Sequence, residues 1–220
     1  QRICAAKREE VAALKRALPL ARLREQARGM PPALDFTAAL RGARPRGSGR
    51  LGRGVNVIAE IKLRSPSRGV FPWHGDVVRQ ARAYELGGAA AISVVTDGPF
   101  FGGSTELLRK VKATSALPVL QKEFLLEPWQ VYYARALGAD ACLLIAAILP
   151  GDLLAEMLAT ARAVGLHTLV EVVDAAGLER ATAAGALVVG VNNRDLTTFA
   201  VDPARTESLV PHYREEQVCV

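Results

Sequence analysis

Residues that commonly hold metals and disulfides are scarce in this sequence, which has three cysteines and three histidines among 220 residues. Cys4, Cys142 and Cys219 are far apart, odd in number and without a metal-ligand spacing. This pattern argues against a disulfide framework and indicates a reducing compartment. We therefore expect neither structural disulfides nor a metal centre.

Long apolar runs are also missing. The longest lies near 141–149, well short of the roughly 18 residues that a membrane-spanning helix needs. Half of the residues are hydrophobic and 23% are charged, which excludes a wholly disordered chain and is enough for one sizeable core. No Gly-x-Gly-x-x-Gly motif follows the first predicted strand, which disfavours a dinucleotide-binding fold.

The formal net charge is +6, a balance that suits nucleic acid, anionic lipid or a small acidic substrate as partner. Five arginines and no acidic residue lie between Arg41 and Arg53. This stretch is rich in Gly and Pro and has no apolar period, so we interpret it as a solvated linker. The alternative is a nucleic-acid-binding arm, but no aromatic residue is interleaved to stack on bases. We expect neither a nucleic-acid nor a membrane partner.

The pattern of apolar residues changes after the linker. Before it, the spacing predicts an amphipathic helix over 3–18 and a short helix that Asp35 caps and that runs to Leu40. After it, short runs rich in Val, Ile, Leu and Ala alternate with helical patterns, which is βα spacing. The predicted strands are 55–61, 89–95, 118–120, 141–145, 168–172, 187–191 and 218–220. The predicted helices are 76–86, 104–112, 128–137, 151–164 and 175–184.

Spacing alone fits either an open doubly wound sheet or a (β/α)8 barrel. Charged and amide side chains decide between them, because they follow nearly every predicted strand, and such groups share a cavity at the carboxyl ends of barrel strands. The sequence therefore predicts a (β/α)8 TIM barrel. The residues in question are Glu60, Lys62, Lys122, Glu171, Asn192 and Arg194.

Four of these positions suit proton-transfer chemistry. Glu60 and Lys62 alternate along one strand, so both would face the barrel interior and tune each other's pKa; the alternative is a structural ion pair. Lys122 follows a buried strand, where burying a lysine costs free energy unless it pairs with an opposite charge or takes part in the chemistry. With Glu171 on another strand it offers an acid and a base; the alternative is a lysine that reaches to the rim.

Other candidates suit substrate binding. Asn192 and Arg194 could hydrogen-bond a hydroxyl or a carboxylate, or instead form a loop network in which Arg194 pairs with Asp195. The loop that contains Ser65 could receive an anion. Phe101 could line a pocket or simply pack.

Together these residues resemble indole-3-glycerol-phosphate synthase of tryptophan biosynthesis. The resemblance covers nearly the whole chain apart from the arginine linker, and its motifs occur in the same order and spacing. The matching stretches are CAAKREEVAALK (4–15), AEIKLRSPSRG (59–69), GGAAAISVVTDGPFFGGSTELLRKV (87–111), LPVLQKEFLLEPWQVYYARALGADACLLIAAIL (117–149), LVEVVDAAGLERA (169–181) and GVNNRDLTTFAVD (190–202).

The resemblance implies a lyase that closes the pyrrole ring of 1-(2-carboxyphenylamino)-1-deoxyribulose 5-phosphate with loss of CO2 and water, without metal or organic cofactor. It implies Lys122 as general acid, Glu60 and Lys62 as the first-strand pair, and Glu171 as a base. The resemblance also implies a set of substrate-binding residues. These are Asn192, Arg194, the phosphate-loop Ser65, and Phe101, Phe124, Leu143 and Leu196 of the aromatic-ring pocket.

The resemblance further implies an amino-terminal extension and linker (1–54) before an incomplete barrel (55–220). A (β/α)8 barrel typically takes about 250 residues, so we expect the chain to stop after the start of strand 7. The family's Glu-Ser-Gly and Gly-Glu-Ser segments, which form most of its phosphate site, would then be missing. We expect the chain by itself to have little or no activity.

Other interpretations remain open at this stage. An inactive barrel fragment that binds another enzyme of the pathway is one alternative, and a phosphoribosyl isomerase, which would carry Cys or Asp at the first strand end, is another. Family members also occur fused to neighbouring enzymes. The KEF (122–124) and WQVYYAR (129–135) spellings are closer to plant and algal members, which implies the plastid stroma; otherwise we expect a cytoplasmic enzyme.

Overall fold

A computed structural model describes residues 2–42, 55–66, 68–71, 76–195 and 200–220. Within these ranges seven parallel strands form one sheet, and strands that are consecutive in the chain are neighbours in the sheet. The prediction of a parallel α/β fold is therefore confirmed. The strands are β1 (Ile58–Ile61), β2 (Ala91–Val95), β3 (Val119–Lys122), β4 (Ala141–Ile145), β5 (His167–Val172), β6 (Val188–Val191) and β7 (Val218–Cys219).

Helices cover the outside of the sheet and form the amino-terminal segment. Two short 3-10 turns (Ala146–Ile148 and Val210–His212) and a small antiparallel ladder (Arg64–Ser65 with Gly69–Val70) complete the described structure. The α-helices are α1 (Arg2–Ala17), α2 (Leu20–Arg28), α3 (Phe36–Arg41), α4 (Val77–Leu86), α5 (Gly98–Phe101), α6 (Thr105–Thr114), α7 (Pro128–Ala136), α8 (Leu153–Ala163), α9 (Ala175–Ala183) and α10 (Ala204–Leu209).

Alternate residues of the strands enter two separate apolar cores. The outer core lies between the sheet and the helices and contains residues such as Ile61, Val94 and Leu144. The inner core draws on strands from β1 to β7, so the sheet curls around it. Its buried members are Phe36, Leu40, Ala90, Ala91, Leu120, Ala141, Leu143, Leu169 and Val188.

The amino-terminal helices contact the barrel in two places. Helix α3 contributes Phe36 and Leu40 to the inner core, and its cap is the predicted one, since the Asp35 carboxylate accepts a hydrogen bond from the backbone N–H of Ala38 at 2.8 Å. Helices α1 and α2 pack on α7, where Leu23 is buried against Trp129. The amino-terminal helices are therefore packed into both faces of the curled parallel α/β structure.

Buried Asp140, just before β4, links these parts. Its carboxylate accepts hydrogen bonds from the backbone N–H groups of Val119 and Leu34, both at 2.8 Å, and pairs with Lys112 at 2.6 Å. One side chain thus fixes the start of β3, helix α6 and the extension. This satisfies the rule that a buried charge is paired and hydrogen-bonded.

Most predicted elements appear with shifted ends, but α2, α5 and α10 were not predicted. Pro19 is the N-cap of α2, and its φ of −58° suits a helix start. The arginine-rich linker falls almost entirely outside the described residues. Among the described residues, no helix is long and apolar enough to cross a membrane.

Candidate active site

Three charged side chains meet at the carboxyl ends of β1 and β3. Lys122 Nζ donates a hydrogen bond to Glu60 Oε2 over 2.8 Å, and Lys62 Nζ donates to Glu60 Oε1. Ile61 packs in the outer core, as strand alternation requires. The three charged side chains are 26–39% exposed, so they are open to a ligand while their ion pairs remain partly desolvated.

The two lysines determine the charge of Glu60. Burial alone would raise the pKa of Glu60, but the ammonium of Lys122, followed by that of Lys62, acts in the other direction. The net effect holds the pKa of Glu60 below its ordinary value. Glu60 is therefore an anion at neutral pH, and it orients two ammonium groups at the barrel mouth.

A second polar group lies at the ends of β5 and β6. The Asn192 side-chain amide donates a hydrogen bond to Glu171 Oε1 at 3.0 Å, and Asn192 Oδ1 accepts one from the backbone N–H of Arg194 at 3.0 Å. Asn192 thus orients the Glu171 carboxylate and the turn that carries Arg194. The structure brings all three predicted residues together.

The predicted aromatic pocket is partly assembled. The rings of Phe101 and Phe124 lie side by side, with centroids 6.0 Å apart and planes tilted by 36°. Leu143 is 3% exposed and belongs to the inner core, below the strand ends. Leu196 falls outside the described residues.

The phosphate-loop candidate lies on the small antiparallel ladder after β1. Ser65 pairs with Gly69 there, and Ser65 Oγ accepts a hydrogen bond from the backbone N–H of Arg68 at 3.2 Å. Arg64, the preceding residue, donates to the carbonyl oxygen of Pro99 at 2.5 Å. The ladder is thus tied to the loop that carries Phe101.

One polar cluster was not predicted from the sequence. Lys7 of α1 is 2% exposed and lies between two buried carboxylates, with its Nζ 3.0 Å from Glu123 Oε1 and 3.2 Å from Asp97 Oδ2. A signal for it does exist, because Lys7 falls on the apolar stripe of α1 with Ile3 and Val11. Lysine is almost never fully buried unless it is paired, so a lysine in such a stripe indicates that an acidic partner lies on the surface that the stripe covers.

Comparison with known proteins identifies the family of this chain. The family model for indole-3-glycerol phosphate synthase matches residues 1–220. The chain belongs to the indole-3-glycerol phosphate synthase family. The synthase of Azoarcus sp. (strain BH72) is 47% identical over 216 residues, which cover 98% of this chain and 80% of the relative. That of Chlorobium phaeovibrioides is 46% identical over 214 residues, covering 97% and 80%.

Solved structures support the barrel-like fold of this synthase-family chain. It superposes on an N-acetylmannosamine-6-phosphate 2-epimerase from Clostridium perfringens with a TM-score of 0.56 and 17% identity, covering 74% of this chain and 75% of that one. A 2-keto-3-deoxy-6-phospho-gluconate aldolase from Zymomonas mobilis gives a TM-score of 0.54 and 16% identity, covering 84% and 74%. At these identities the likeness shows the fold alone.

Proposed function

We propose that this chain catalyses the synthase reaction of its family, the conversion of 1-(2-carboxyphenylamino)-1-deoxyribulose 5-phosphate to indole-3-glycerol phosphate. The observation that carries the proposal is the Lys122–Glu60–Lys62 cluster at the barrel mouth. It places two ammonium groups and a carboxylate where an anionic substrate and its carbonyl oxygen can reach them. Family membership supports the substrate, and the geometry supports the roles that we propose for these residues.

Ring closure needs an acid. The aromatic carbon that bears the carboxylate attacks the ketone carbon, and the carbonyl oxygen must take up a proton as it becomes a hydroxyl. Lys122 is the donor in our proposal, because its ammonium is held at the strand end by Glu60 at 2.8 Å. A positioned acid of this kind typically contributes about 10²–10⁴-fold in rate.

Decarboxylation follows without a further proton. The substrate carboxylate leaves as CO2, and its electron pair restores the aromatic ring. We assign Lys62 to hold that carboxylate until it leaves, since Lys62 lies beside Lys122 on the shared Glu60. Binding a carboxylate by an ammonium is a charge-assisted contact, roughly twice as strong as a neutral hydrogen bond.

Dehydration needs an acid and a base. The hydroxyl leaves as water once it is protonated, and a proton leaves the adjacent carbon to complete the pyrrole ring. Glu171 is the proposed base, because Asn192 fixes one of its oxygens and leaves the other for the substrate. Overall one proton is taken up, which balances the loss of a carboxylate as CO2.

The remaining predicted residues bind substrate in this proposal. Phe101 and Phe124 hold the benzene ring, together with Leu143 and the predicted Leu196. Ser65 contributes to phosphate binding, and Arg194 contacts the anionic substrate.

The proposed architecture is an amino-terminal extension with its linker (1–54) before the barrel residues 55–220. This fold binds phosphate at the ends of its strands seven and eight. The compartment, plastid stroma or cytoplasm, stays a prediction.

The test is indole formation by the protein as its gene encodes it, followed by absorbance. Lys122→Met should lower kcat by at least about 100-fold, with an unchanged circular dichroism spectrum. Lys110→Met is the matched control, because Lys110 is more than half exposed on α6 and pairs only locally with Glu106. A folded wild-type protein without turnover would overturn the proposal and favour a binding role in the same pathway.

A further inference from the structure

The buried lysine of α1 touches no residue of the proposed chemistry directly. Lys7 pairs with Glu123, Asp97 and Glu10, the last at 2.8 Å. Asp97 is fully buried and Glu123 is 9% exposed. Buried ion clusters of this kind often contribute little net stability, because desolvation offsets their attraction. What the cluster contacts is therefore more informative than its stability.

Both carboxylates also hold the backbone of the aromatic pair. Asp97 Oδ1 accepts hydrogen bonds from the backbone N–H groups of Phe100 at 2.8 Å and Phe101 at 3.2 Å. Glu123 Oε1 accepts one from the backbone N–H of Phe124 at 2.8 Å. A single ammonium group thus connects the two loops whose rings lie 6.0 Å apart.

We propose that Lys7 is a positioning residue that sets the spacing of Phe101 and Phe124, and with it the fit of the substrate's benzene ring. The inference rests on the proposed function, since it assigns that ring to this pair. It makes α1 of the extension a supporting part of the substrate site, although α1 supplies no group that touches substrate.

Charge explains why the lysine is needed. Burial raises the pKa of Glu123, the Lys7 ammonium opposes this, and Asp97 adds to the rise as a like charge. Without Lys7 the two carboxylates would face each other unscreened. Glu123 Oε2 also accepts a hydrogen bond from Thr96 Oγ1 at 3.0 Å. A cavity of about 410 Å³ borders Glu123, and we expect the repelled carboxylate to shift toward it and weaken its hold on the backbone of Phe124.

The experiment compares Lys7→Met with Lys15→Met in the full-length protein. Lys15 lies on the same helix and also pairs with a glutamate, Glu127, but its side chain is 46% exposed. We expect Lys7→Met to raise KM about tenfold with kcat changed less than threefold, because lost ground-state binding appears in KM. Lys15→Met should match wild type, and Lys7→Arg, which keeps the charge, should recover most of the loss.

Binding of non-reacting analogues locates the effect. The substrate with its ketone reduced to an alcohol should bind Lys7→Met about tenfold more weakly than wild type. The same analogue without the benzene ring should bind both equally. Equal weakening of both analogues, or a fall in kcat at constant KM, would overturn the inference while wild-type turnover leaves the proposed function standing.

A second variant covers loss of folding. If Lys7→Met does not fold, the triple variant Lys7→Met, Asp97→Asn, Glu123→Gln removes the unpaired charges but keeps carbonyl acceptors for the backbone N–H groups. Its KM should lie close to that of wild type, because the hydrogen bonds remain without the repulsion. A KM raised tenfold in the folded triple variant would overturn the inference.

Discussion

The ammonium nitrogen of Lys122 lies 2.8 Å from Glu60 Oε2, although β2 separates the strands that carry these residues. Ser93 of β2 stands in register with Glu60 and is small, so the two longer side chains can meet above it. The contact joins charged side chains at the ends of β1 and β3 across the intervening strand β2. It also makes the charge of Glu60 sensitive to each of its two lysines.

Lys62→Met should change the pH dependence of the reaction. The pKa of Glu60 lies below its ordinary value, so the carboxylate stays ionised to lower pH than a free glutamate. Removing Lys62 takes away one of the two attractions and lets burial raise that pKa. The acidic limb of the kcat/KM profile should therefore move to higher pH, which a series of rate measurements from pH 4 to pH 8 would detect.

Lys110→Met serves as the control, since its partner Glu106 is on the surface of α6. If the acidic limb of the kcat/KM profile lies at the same pH in Lys62→Met as in wild type, ionisation of Glu60 does not limit activity at acid pH. Circular dichroism at each pH separates this result from acid unfolding.

Asn192→Ala should impair catalysis more than stability. The variant loses the hydrogen bond to the Glu171 carboxylate, and hydrogen bonds to charged groups contribute about 1.5–3 kcal/mol. We expect kcat/KM to fall roughly 10- to 100-fold. Neighbouring Asn193 is a matched control, because its side chain accepts a hydrogen bond from Thr206 instead. Equal losses in Asn193→Ala would indicate a general effect on the loop.

Gly103→Ala should disturb the loop that carries Phe101. A Cβ at Gly103 would lie 2.1 Å from the carbonyl oxygen of Val95, so the backbone must move. We expect a loss of about 1–3 kcal/mol in the free energy of unfolding, as for overpacked cores, together with a raised KM. Urea unfolding measures the change in the free energy of unfolding, and steady-state kinetics measure the change in KM.

The control for Gly103 is Gly165→Ala. Gly165 has a φ of +66° and nothing within 4 Å of its Cβ position, and it lies before β5 at the opposite end of the barrel. Gly165→Ala should lower the free energy of unfolding only by the cost of placing alanine in a left-handed backbone conformation, about 1–2 kcal/mol. A raised KM there would argue against a local effect at Gly103.

Thiol labelling should distinguish the three cysteines. Burial raises the pKa of Cys142 to about 12, and the thiolate is the reactive form, so native Cys142 should not react with an aromatic disulfide reagent at pH 8. Exposed Cys219 should react first and partly buried Cys4 more slowly. All three should react in denaturant. A third fast thiol in the native protein would contradict this assignment.

The residues of the site could be predicted because they sit where strands end. A charged residue at the end of a run of buried apolar residues, as at Lys122 and Glu171, has few positions other than the carboxyl end of a strand. Contacts between distant segments could not be predicted in this way. The pairing of Lys7 with Glu123 depends on how α1 docks, and no local pattern encodes that docking.

Helix α2 was missed for a related reason. Its nine residues are too few for a stable helix in water by propensity alone, since isolated helices need about 12–15 residues. Packing of Leu23 against Trp129 supplies the stabilisation that the helix propensity of the local sequence does not provide. Pro19 also serves as a helix start here, whereas the same residue more often indicates a break.

The contact between the amino-terminal helical segment and α7 has a consequence for synthesis on the ribosome. Trp129 donates a hydrogen bond to the backbone of Leu18, 111 residues earlier in the chain. At roughly 5–20 residues per second, the extension waits on the order of 5–20 s before its docking surface is translated. During that interval its apolar stripe is exposed to proteases and chaperones, and the first segment made cannot dock until more than half of the chain has been translated.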